Sequence, residues 1–80
     1  MIIKILGSGC KKCVALGDNA KVAAASAGID ADIEKVTDII AIAGYGIMST
    51  PGLVINEKVV SSGRVLTPAE ITPLLQEART

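Results

Sequence analysis

Cys10 and Cys13 are the only cysteines in the chain, and they stand three residues apart as Cys10-Lys11-Lys12-Cys13, directly after Gly7-Ser8-Gly9. The stretch that follows reads as a helix. Residues three apart share one helix face, so two sulfurs on its first turn can meet in a bond. The N-terminus of a helix presents unpaired N–H groups and roughly half a positive charge, and both favour a thiolate. A cysteine that titrates near ~8.5 when free can fall to about 3.5–7.5 in such a place. The chemistry expected is a dithiol that cycles between reduced and oxidised forms. The alternative is a metal- or iron–sulfur-binding module built on the same two cysteines. Two ligands do not close a tetrahedral zinc site, which takes four, so that reading needs a dimer sharing ligands or a bridging cluster. Lys11 and Lys12 read either as a solvated first turn or as charges that lower the Cys10 pKa further.

The elements that must hold this pair follow from the patterning. Residues 1–6 form a short apolar run ended by Gly7, as in a buried strand. Lys4 is its odd member, expected to snorkel its charge from the edge of a strand. Over 11–27 the pattern turns helical, with Cys13, Leu16, Ala20, Ala24 and Ala27 on one stripe and Gly28 as the C-terminal cap. Gly17 lies inside that helix, where it costs about 1 kcal/mol against alanine and is expected to permit close packing on the sheet. Ile29, Ala31 and Ile33 alternate with Asp30, Asp32 and Glu34, which predicts a half-buried strand over 29–36. Thr37 or Asp38 then caps a short helix over 39–43.

Residues 53–55 and 58–60 read as two strands of a hairpin joined at Asn56-Glu57. Asn56 suits a left-handed turn position and Glu57 does not, which leaves the turn type open. Thr67-Pro68-Ala69-Glu70 carries a capping box and begins a last helix to about Ala78. Pro73, one turn in, should bend that helix or move its true start later. The order is βαβαββα. The fold class expected is α/β, one mixed four-stranded sheet with a right-handed first crossover and helices on both faces.

Composition narrows the function further. The chain has 80 residues, so it makes a single domain over 1–80. It has zero net charge, no histidine, and Tyr45 as its one aromatic residue. Histidine-based catalysis and histidine-ligated metal sites are excluded. No basic cluster is present to neutralise phosphates, so nucleic acid is not an expected partner. Nor is a membrane, because no apolar run approaches the ~20 residues of a spanning helix. The opening run is too short for a signal-peptide core. The expected location is cytoplasmic, and in a reducing cytoplasm two cysteines are more often catalytic or metal-binding than a structural staple.

The C-x-x-C at the first strand-to-helix junction, in this order of elements, resembles the thioredoxin fold. Tyr45-Gly46-Ile47-Met48-Ser49-Thr50-Pro51 is similar to the run that precedes the cis-proline of thioredoxins. Thr50-Pro51 before Leu53-Val54-Ile55 resembles the lead-in to the third strand in glutaredoxin-like proteins. With Gly7-Ser8-Gly9-Cys10 and Ser62-Gly63-Arg64-Val65, the whole chain looks like the very small archaeal and bacterial thioredoxin-like redox-active disulfide proteins.

The resemblance implies a thiol–disulfide oxidoreductase that carries electrons with no cofactor beyond a redox-active Cys10–Cys13 disulfide. Cys10 would be the exposed attacking thiol and Cys13 the more buried resolving thiol. Pro51 would be cis and face the dithiol, leaving the Thr50 backbone to pair with an extended partner chain. The implied partners are a thioredoxin-reductase-like or other dithiol reductase and a disulfide-containing protein target. Gly9 and Lys11-Lys12 stand where thioredoxins carry an aromatic residue and Gly-Pro, and Lys4 stands where they carry a buried acid. Ser62-Gly63-Arg64 lacks the acids with which glutaredoxins hold glutathione. These departures point to a specialised relay.

Overall fold

The computed structural model describes residues 1–7, 9, 11–47 and 49–79, the last for its backbone. The apolar run at the start becomes β1 (Ile2–Leu6), and α1 (Lys11–Ser26) returns the chain to β2 (Asp32–Val36). Then follow α2 (Ile39–Gly44), the hairpin β3 (Gly52–Ile55) and β4 (Lys58–Ser62), and α3 (Pro68–Arg79). The strand order is β2-β1-β3-β4. β1 pairs parallel with β2 and antiparallel with β3, and β3 pairs antiparallel with β4.

Alternation in β1 divides the core. Ile3 and Ile5 face α1 and α3 and pack with Leu16, Ala20, Leu53 and Leu75. Leu6 faces the other way, where Val54 and Ile42 of α2 complete a smaller cluster. The molecule is thus the α/β, four-stranded mixed sheet with helices on both faces that the patterning predicts. With no large aromatic to fill the core, alanines at 20, 23 and 24 let α1 lie close to its neighbours.

Four details differ from the sequence reading. β2 starts at Asp32, because Ile29 belongs to the end of α1. Gly28 has φ +67°, its N–H donates to the Ala25 carbonyl (3.2 Å), and the Ile29 N–H donates to the Ala24 carbonyl (2.9 Å). That is the paired bonding of a Schellman cap, and it takes Ile29 out of the ladder. β4 runs on to Ser62, since Ser61 and Ser62 pair with Leu53 and Gly52.

α3 starts at Pro68 despite Pro73. The missing N–H orphans the carbonyl of Ala69, an exposed residue that water can reach, while the capping box holds the start. Thr67 N–H donates to Glu70 Oε1 (3.1 Å) and Glu70 N–H to Thr67 Oγ1 (3.2 Å). The Thr67 N–H first, and then the Thr67 hydroxyl, which also donates to Glu70 Oε1 (3.1 Å), hold the Glu70 carboxyl below its ordinary range.

Lys4 does not sit at an edge, because β1 is an inner strand. Its ammonium pairs with Glu57 Oε1 and donates to the Tyr45 hydroxyl (3.0 Å), which donates to Glu57 Oε2 (3.3 Å). The bond to Glu57, then that to Tyr45, raises the Lys4 pKa, and the same bond to Lys4 lowers that of Glu57. Glu57 has φ +68° and Asn56 φ +50°, which closes the hairpin as a type I′ turn.

Candidate thiol site at the first strand-to-helix junction

The backbone of Gly7 ends β1 with its N–H donating to the Val36 carbonyl of β2 (2.9 Å). It is buried, and Cys13, on the first turn of α1, is 4% exposed beside it. A Cβ built on Gly7 would overlap Cys13 Sγ and stand 3.8 Å from Thr50 Cβ. The thiol and the Thr50 side chain therefore both border Gly7, and glycine at that position makes the space for the thiol. Gly7 carries no left-handed φ, so the requirement there is for space.

The Thr50–Pro51 peptide bond is cis. Pro51 is buried and Thr50 exposed, so this segment offers an open residue beside a covered ring. The segment is held at both ends. Ile47 lies over Gly52, where a Cβ would come 2.6 Å from its Cδ1. At the other end the Gly63 N–H donates to the Pro51 carbonyl (2.8 Å). Gly63 has φ +72°, and a side chain there would meet Ser49 Cβ at 2.9 Å.

Cys10 lies outside the described residues, and so does Met48 of the Tyr45–Pro51 run. Lys11 and Lys12 are exposed on the first turn of α1 and do not line the pocket beside Cys13. That small pocket is walled by Ile5, Gly7, Gly9, Val14, Lys35 and Thr37. Lys35 and Thr37 are the residues that the sequence reading missed. The signal was present in the alternation, since Lys35 follows Ile33 at the strand period, on the core side of β2. Arg64 is solvated, with Nη2 3.7 Å from Glu70 Oε2. Among the described residues no three Cys, Asp or Glu side chains gather as metal ligands. No helix of the described residues is long and apolar enough to cross a membrane.

A four-stranded mixed sheet with a buried cysteine on the first turn of its first helix, and a cis-proline opening its third strand, defines a class, and the comparisons agree with it. The thioredoxin domain family model matches residues 1–76, and the chain belongs to that family. It is similar to the thioredoxin of Methanocaldococcus jannaschii, with 39% identity over 71 residues, 89% of this chain and 81% of that one. It is also similar to the thioredoxin of Methanothermobacter thermautotrophicus, with 37% identity over 75 residues, 94% of this chain and 97% of that one.

Proposed function

We propose that the protein is a thiol–disulfide oxidoreductase that uses Cys10 and Cys13 to pass two electrons to a disulfide in a protein partner. The observation that carries this reading is the position of Cys13: buried against Gly7, with Thr50, the residue that precedes cis-Pro51, on the other side of that glycine, in a chain of the thioredoxin family. The Cys10 thiolate attacks one sulfur of the partner, the partner's S–S bond breaks, and a mixed disulfide forms. Cys13 loses its proton and attacks Cys10, which releases the partner's second thiolate. The partner gains two electrons and two protons, and the protein is left with a Cys10–Cys13 disulfide. A dithiol reductase of the thioredoxin-reductase kind returns it to the dithiol, in the cytoplasm.

Burial supports the resolving role for Cys13, because a covered thiol reacts with its neighbour and not with solutes. Thr50 is an exposed residue, and through its backbone it can pair with an extended partner segment, as in strand addition. Lys11 and Lys12 place positive charge on the first turn, where it favours the Cys10 thiolate.

Trapping tests the reading. Cys13→Ser is expected to accumulate mixed disulfides through Cys10, detected by mass spectrometry, and Cys10→Ser is expected to accumulate none. If neither variant traps a partner and the pair shows no reversible reduction potential, the reading falls. Stoichiometric copper, zinc or iron in protein purified without oxygen, with both thiols protected, would replace it with the metal-binding one.

A further inference from the structure

Lys35 breaks a pattern. On β2, Ile33 packs with the cluster between the sheet and α1, and Val36 packs with the cluster on the other face. Alternation therefore sets Lys35 on the side of Ile33, the side of Cys13. Its Cα partner on β1 is Ile5, which also walls the pocket beside the thiol. An aliphatic residue would extend the core at this position. A lysine stands there instead, exposed, with Thr37 two residues on along the same wall. No carboxylate lines that pocket among the described residues. Asp32 and Glu34 alternate to the opposite face of the strand, and Asp38 accepts the Ile40 N–H (3.0 Å) at the start of α2. In a chain of zero net charge, the wall of the thiol pocket is cationic.

We propose that Lys35 is a specificity-determining residue that selects disulfides carrying an anionic group, such as a carboxylate, next to the sulfur. The Lys35 ammonium receives that group and the Thr37 hydroxyl donates to it, while the disulfide lies over the pocket against the dithiol. The inference rests on the thiol–disulfide exchange proposed above and adds the chemistry of the partner. In the step itself the dithiol is oxidised to its disulfide, the anionic disulfide is reduced to two thiols, and the two protons go with the products. A structural reading also exists, because β2 is an edge strand and an inward-pointing charge there blocks edge-to-edge pairing. That role would not alter the choice between disulfides.

The test compares three small disulfides of similar size: dithiodipropionate (anionic), hydroxyethyl disulfide (neutral) and cystamine (cationic). Reduced full-length protein is mixed with each, and the rate is divided by that of dithiothreitol with the same disulfide. The readout is the ratio of anionic to neutral rates within each protein. The wild type is expected to favour the anionic probe. Lys35→Gln should lower the ratio about threefold and Lys35→Glu about tenfold at low ionic strength, the scale of one exposed charge pair made or reversed. In ~1 M salt, where the screening length is about 3 Å, the ratios should converge. Lys11→Gln with Lys12→Gln should move the ratio less, since neither lysine lines the pocket. Exchange with the same ratio in wild type and Lys35→Glu overturns the assignment and leaves the oxidoreductase reading standing. Failure of the wild type to react with any of the three also overturns the assignment, and the oxidoreductase reading then stands or falls on the trapping experiment above.

Discussion

A methyl group on Gly7 would overlap the Cys13 sulfur, and one on Gly17 would stand 3.8 Å from Ile5 Cγ1. The first is far inside contact and the second is ordinary contact, so one substitution has opposite signs at the two sites. Gly7→Ala must push Cys13 or the end of β1 aside, an overpacking cost of about 1–3 kcal/mol. The expected result is a lower urea midpoint together with slowed thiol exchange, because the displaced atom is the sulfur itself. An unchanged midpoint and rate would mean that the space beside the thiol is not needed. Nothing in the sequence separates these glycines by role. Each follows or interrupts an apolar pattern, and only the position of Cys13 across from Gly7 tells them apart.

At the scale of elements, α1 carries its one glycine on its buried face. The sequence reading expected Gly17 to allow a close approach to the sheet, but the gap to Ile5 admits a methyl group. Gly17→Ala is therefore expected to stabilise the protein by about 0.5–1 kcal/mol, through helix propensity and a less flexible unfolded chain. A rise in the thermal midpoint measures it, and a fall would show that α1 sits closer to β1 than these distances allow.

The elements themselves were legible where local rules agree. The capping box of α3, the glycine cap of α1 and the alternation of β2 each rest on contacts within a few residues. Their exact ends were less legible. Ile29 has the right pattern for β2, yet its N–H is taken by the Ala24 carbonyl. Ser61 and Ser62 have a weak pattern for β4, yet they have partners on β3.

The Lys4–Tyr45–Glu57 cluster belongs to the whole molecule, since it ties an inner strand to the end of α2 and to the hairpin turn. The folded Glu57 carboxyl titrates below its ordinary range, so its contribution is complete above that range and is lost as pH falls through the lowered value. The folded Lys4 titrates above its ordinary range, so its contribution is complete below that range and is lost as pH rises through the raised value. Both are in force at neutral pH. Glu57→Gln is accordingly expected to lower the urea midpoint at pH 7, and the gap from wild type should begin to shrink as pH falls below about 4.5, the unperturbed value, and close below the lowered one. A gap that persists in acid would assign the effect to the turn backbone, where Glu57 holds a left-handed φ.

The sequence by itself determined the order of elements, the fold class and the place of the cysteine pair at a strand-to-helix junction, because periodicity, caps and the C-x-x-C spacing are local. It also contained the segment that carries Thr50 and Pro51. Tertiary structure decided which residues meet. It set Thr50 and Cys13 both at the border of Gly7, gave Lys4 its partner 53 positions away at Glu57, and put Lys35 on the wall of the thiol pocket. Those contacts depend on strand order and register, which bring distant positions together and leave little trace in either segment alone.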